Sequence, residues 1–222
     1  MTFLKKNINY EKEVTYFIGS APGFRELKFG TPIPLEKDSI ILFEIHYTKN
    51  EKTIEDNIKV IIKSVENNTI KDGYCKRALK NIADHIDKKN FVIQPYEENY
   101  IQNTSWEIKD EINIYSILPH MHNRGKRFTA KIIYPNDTNK EILSIQNWDF
   151  NNQTPIIFKD PIVIPKGSII EFTATFDNSI ENPNNPDPSK QVKIGENSDD
   201  EMIDFFIDYC INDKINYVKI LD

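Results

Sequence analysis

An all-β fold, an antiparallel sandwich or jelly roll preceded by a partial second β-lobe, is what this sequence predicts. Three observations carry the prediction. Apolar and β-branched runs of strand length recur along the chain, and polar turn residues separate them at short, even spacing. Helical periodicity is confined to one segment.

Taken in order, residues 39–47 form a buried-strand run bounded by Pro32 and Pro34 upstream and Lys49-Asn50 downstream, and residues 58–64 form another. Further strands are predicted at 111–118, 127–134, 140–145, 155–158, 169–176 and 201–209. Asn136-Asp137, Asn151-Asn152 and Pro165-Lys166-Gly167 mark turns, and an Asn/Pro/Asp loop runs over 177–190. Many short strands joined by polar turns suit a sandwich. Residues 75–89 differ, because Leu79, Ile82, Ala83 and Ile86 follow a helix-like spacing. A short helix or loop is expected there, joining two lobes with a boundary near residue 67. The chain then divides into a partial N-terminal lobe, 1–66, and a C-terminal lobe, 67–222.

The 222 residues are enough for a sizeable core. A formal charge of −6 with no basic stretch excludes a protein that tracks nucleic-acid phosphates. No run approaches the roughly 20 apolar residues of a membrane-spanning helix, so no membrane partner is expected. Residues 1–7 lack an apolar stretch of signal-peptide length, so the sequence shows no export address. Cys75 and Cys210 are the only cysteines and lie in no CxxC pattern, so two unrelated free thiols are expected.

Four histidines are present, and two of them, His120 and His122, flank Met121. On a strand, side chains at i and i+2 leave the same face, so both imidazoles point to one side of the sheet. That pair is a ready two-nitrogen site for a transition metal. Met202 follows the acidic run Asp199-Asp200-Glu201 and leads into the apolar run Ile203 to Tyr209. It either packs in the core or supplies a thioether, and two nitrogens with one sulfur select copper, above all Cu(I). Spacing alone does not bring Met202 to the histidines. The loop 177–190 lacks EF-hand spacing, and no Gly-rich phosphate loop or nucleophile motif occurs. Trp148 and the other aromatics are expected in the core.

The stretch Leu118-Pro119-His120-Met121-His122-Asn123-Arg124-Gly125-Lys126 resembles the His-x-His-x-x-Gly motif of the copper type II, ascorbate-dependent monooxygenases. Further blocks agree in order. Glu44-Ile45-His46-Tyr47 resembles that family's apolar-x-His-Tyr strand. Trp148-Asp149-Phe150, and Phe176-Asp177-Asn178-Ser179 with Asn182-Pro183-Asn184-Asn185-Pro186, resemble segments of its bacterial members. Asp200-Glu201-Met202 resembles its methionine block. The resemblance implies two coppers. One, on His120, His122 and Met202, uses O2 to attack a substrate C–H bond. The other, on three histidines including His46, takes electrons from ascorbate.

The sequence also departs from the family. The adjacent histidine pair expected before His46 is absent, so that second site is incomplete, and His85 is expected at the surface. Peptide-amidating members hold a substrate carboxylate with an arginine and a tyrosine where this chain has Leu118 and Phe206. Peptide amidation is therefore rejected, since a buried carboxylate there would lack partners. The expectation is a copper-dependent oxidoreductase acting on a small organic molecule with O2 and an ascorbate-like reductant. A single-copper binding module or an inactive fragment is the alternative.

Overall fold

A computed structural model describes residues 77–211 apart from 196 and 198, together with 53 and 55. The expected strands at 39–47 and 58–64, the lobe boundary near 67, His46 and Cys75 lie outside the described residues. Ten strands are described: β1 (Arg77–Asn81), β2 (Val92–Ile93), β3 (Tyr100–Glu107), β4 (Ile112–Met121), β5 (Gly125–Ile133), β6 (Asn139–Ile145), β7 (Ile156–Ile164), β8 (Ile169–Phe176), β9 (Val192–Lys193) and β10 (Ile203–Ile211). They build two four-stranded sheets, ordered β1-β10-β4-β7 and β3-β8-β5-β6, with β2 and β9 as a small extra pair. All strand pairings are antiparallel. The expected all-β sandwich is the fold.

Alternation explains most of it. In β8, Ile170, Phe172, Ala174 and Phe176 are buried while the residues between them stay partly exposed. Phe128 of β5 and Phe172 of β8 stack at 5.4 Å, and Phe205 of β10 meets them from the other sheet at 5.3 and 4.8 Å. This three-ring cluster closes the two sheets on each other. Gly167 is required in the turn before β8, where its φ of +83° suits a residue without a side chain.

One expectation is narrowed and another corrected. Of the short helix or loop expected over 75–89, the helical part is a four-residue 3-10 turn, Ile82–His85, capped by the Asn81 side chain, and the residues before it are the strand β1. Ile82, Ala83 and Ile86 still enter the core, so one turn between extended segments delivers the same burial. His85 is exposed, as expected. The cysteines are not free thiols, because Cys210 is disulfide-bonded and Cys75 is the only other cysteine in the chain. Cys210→Ser is expected to lower unfolding stability by about 2–4 kcal/mol, read as a shift in denaturant midpoint. An unchanged midpoint would mean that the bond does not constrain the chain.

Candidate metal centre

A bulge in β4 decides which way the histidines point. Ile114 faces Tyr209 and Ser116 faces Asp208, so Tyr115 is an extra residue without a rung of its own. Before it, Ile112 and Ile114 point into the core; after it, Ile117 and Met121 do. The change of parity sends Ser116, Leu118, His120 and His122 to the face away from that core, where His122, Ser116 and Leu118 are still buried and His120 is partly so. Without the extra residue His120 and His122 would be directed into an apolar core.

The two imidazoles then sit with ring centroids 5.2 Å apart at 84°. Rings that each place Nε2 about 2 Å from one shared ion have centroids within roughly 6.4 Å of each other, so this separation fits a common ion. His120 Nδ1 meets Gln153 Oε1, and the orientation of that amide is set because its Nε2 donates to the Phe150 carbonyl at 2.7 Å. His122 Nδ1 lies 3.2 Å from the Asp200 carbonyl. Both partners are acceptors only, so Nδ1 carries the proton on each ring and Nε2 is the basic nitrogen. That is the tautomer a metal-binding histidine needs.

The pairing of β4 with β10 brings Met202 near this pair. His120 lies opposite Asp204 and Met121 opposite Ile203, where the ladder ends, and just beyond it one Glu201 carboxylate oxygen takes the backbone N–H of both His122 and Met202. Met202 is half-buried. The register is fastened by hydrogen bonds. Glu201, fully buried, accepts the backbone N–H of His122 at 2.9 Å and of Met202 at 3.2 Å on one oxygen, and that of Arg124 at 2.6 Å on the other. Arg124, also buried, donates from Nη1 to the Asp199 carbonyl and from Nε to Asn178, each at 2.8 Å. Burial pushes the Glu201 carboxyl up to about 7 against the pull of those N–H groups and of the Arg124 charge. Burial likewise lowers the Arg124 pKa, with Glu201 the foremost charge opposing it.

The segment 148–153 walls the other side. Phe150 stands edge-on to His122 at 5.7 Å, and Trp148 lies so close over Gly125 that a Cβ there would come within 2.5 Å of it. This is the physical reason for glycine three residues after His122. Leu118 and Phe206 form a directly opposed pair beside His120 and Asp204. Asp204 accepts from Asn81 at 2.7 Å, and burial raises its pKa. The loop 177–190 satisfies itself: Asn178 and Asn182 together donate to Gln94, Lys190, Asn123 and Asp177 carbonyls, and Lys126 pairs with Asp177 at 3.0 Å. These bonds tie the loop to Gln94, Lys126 and Asn123.

The donor set fits copper. Among the described residues no three His, Cys, Asp or Glu side chains gather as a metal site; a His, His, Met set holds only two such side chains and is a softer donor class. Sequence reasoning named His120, His122 and Met202 but missed Gln153, Glu201 and Arg124 as their supports. The only signals were the Trp148-Asp149-Phe150 block and the acidic run before Met202. Gln153→Leu, which removes the acceptor on His120, is expected to weaken Cu(I) binding about tenfold in competition with a chromophoric chelator. Unchanged binding would remove Gln153 from the site.

Among known families, the model described as copper type II ascorbate-dependent monooxygenase, C-terminal domain, matches residues 84–219, more than half of the chain. No curated protein matches it.

Proposed function

The chain belongs to the copper type II ascorbate-dependent monooxygenase family through its C-terminal domain, and from that premise we propose that it is a copper monooxygenase. In this reading it hydroxylates a small organic substrate with O2 and an ascorbate-like reductant, holding the catalytic copper on His120, His122 and Met202. The observation that carries it is the outward-facing histidine pair, with both Nδ1 protons tied to acceptor-only oxygens. Bound copper supplies the one-electron chemistry by which one oxygen atom of O2 enters a C–H bond and the other leaves as water. The chain's own residues orient the ligands. Gln153 and the Asp200 carbonyl fix the imidazoles, and Phe150 stands edge-on against His122.

Residues 67–222 make up the C-terminal lobe in this proposal and residues 1–66 part of the N-terminal one. His46 is one ligand of the electron-transfer copper, a site that other sequence must complete. Leu118 and Phe206 favour an uncharged, apolar substrate group. The Cys210 disulfide supports an oxidising, extracytoplasmic setting, where such bonds persist.

The test is copper-loaded full chain supplied with 18O2, ascorbate and a panel of uncharged aromatic and aliphatic compounds. The expected result is product carrying 18O from O2, dependent on both copper and ascorbate. Bound copper without ascorbate-dependent O2 uptake would favour the binding-module reading instead.

A further inference from the structure

We propose that Glu201 and Arg124 are positioning residues that set the methionine thioether against the histidine pair, an inference that rests on the copper reading above. The motif residues alone do not fix that relation. His122 directly follows β4, whereas Met202 directly precedes β10, some eighty residues away in the chain. Four hydrogen bonds cross between the two segments, and they fall on three consecutive residues. Arg124 Nη1 donates to the Asp199 carbonyl, and His122 Nδ1 to the Asp200 carbonyl. The backbone N–H groups of His122 and Arg124 donate to the two oxygens of Glu201. Glu201 also takes the Met202 N–H on the oxygen that holds His122. One carboxylate oxygen therefore ties the backbone of an imidazole ligand to the backbone of the thioether ligand.

The chemistry of this brace is specific. Three N–H groups converge on a group with no access to water, which requires two acceptor oxygens and no donor. Glutamate meets that need and glutamine does not, because its NH2 would face at least one backbone N–H. Arg124, itself buried, donates its backbone N–H to that carboxylate and carries the opposite charge. Asn178, itself fully buried, holds Arg124 Nε at 2.8 Å and is pinned by the Gln94 and Lys190 carbonyls. The loop thus reaches the metal ligands through Arg124 and Glu201. Removing the brace leaves His120 oriented by Gln153 but frees the Met202 segment, so the loss should appear at sulfur before nitrogen.

The experiment compares Cu(I) affinity and copper X-ray absorption for the full-length wild type, E201Q and R124K, with circular dichroism as the check on folding. E201Q keeps the volume and reverses one hydrogen bond. R124K keeps the charge but cannot serve Asn178 and Asp199 from one fork. The expected result is a 10–100-fold weaker affinity with diminished Cu–S scattering and retained Cu–N scattering, at an unchanged β spectrum. R124K carries the test if E201Q does not fold. Folded variants with wild-type affinity and full Cu–S scattering would overturn the inference while the copper reading stands. A wild type that binds no Cu(I) would overturn both, and does so before any variant is compared.

Discussion

Met202→Ile will lower Cu(I) affinity by more than about 100-fold, beyond what loss of a partner supporting a ligand costs, while Cu(II) binding changes far less. The asymmetry follows from the donor: a thioether stabilises soft Cu(I) and contributes little to Cu(II). One Glu201 carboxylate oxygen takes the backbone N–H of both Met202 and His122, which holds residue 202 next to the histidine pair. Isoleucine is of similar size and the position is half-buried, so the fold should lose less than about 1.5 kcal/mol. Chelator competition on the reduced and oxidised forms measures both affinities. Equal losses for Cu(I) and Cu(II) would point to general damage, and no loss would return Met202 to ordinary packing.

Phe172→Ala will destabilise the domain by about 3–5 kcal/mol, the largest stability effect expected from a single side chain here. Phe172 is buried in β8 and touches Phe128 of its own sheet and Phe205 of the facing one. Truncation removes transfer free energy and leaves a cavity at the seam, where two sheets already set by their ladders cannot readily collapse. Urea unfolding followed by circular dichroism gives the value. A loss below about 1 kcal/mol would mean that the two sheets do not depend on this cluster for their packing.

Much of the sandwich was legible because period-two alternation is local. β8 was predicted with its observed bounds, and β5 and β6 to within two residues. β3 was missed because Tyr100–Glu107 alternates partly buried and exposed positions with few aliphatic residues. β7 runs past the predicted stretch through Lys159, Asp160 and Pro161, which as a string look like a turn. The short helix or loop expected over 75–89 shrinks to a four-residue 3-10 turn after β1, because inward residues at helical intervals also arise where a strand, a short turn and a loop meet the core in succession. At the site, the His pair and Met202 were legible as types, and the i, i+2 rule placed both imidazoles on one face. Which face was not legible, because Tyr115 reverses the parity of β4 through a bulge that exists only in the pairing. Gln153, Glu201 and the Cys210 disulfide were hidden likewise. Each depends on a partner far along the chain, and nothing local marks it.

The most direct test is copper bound per chain after anaerobic Cu(I) loading and dialysis, for the wild type and for the His120→Ala/His122→Ala double variant. The account predicts about one tightly held copper in the wild type and none at this site in the double variant. Wild type that retains no copper, or a double variant that retains it unchanged, would contradict the assignment of the metal to the outward-facing histidine pair.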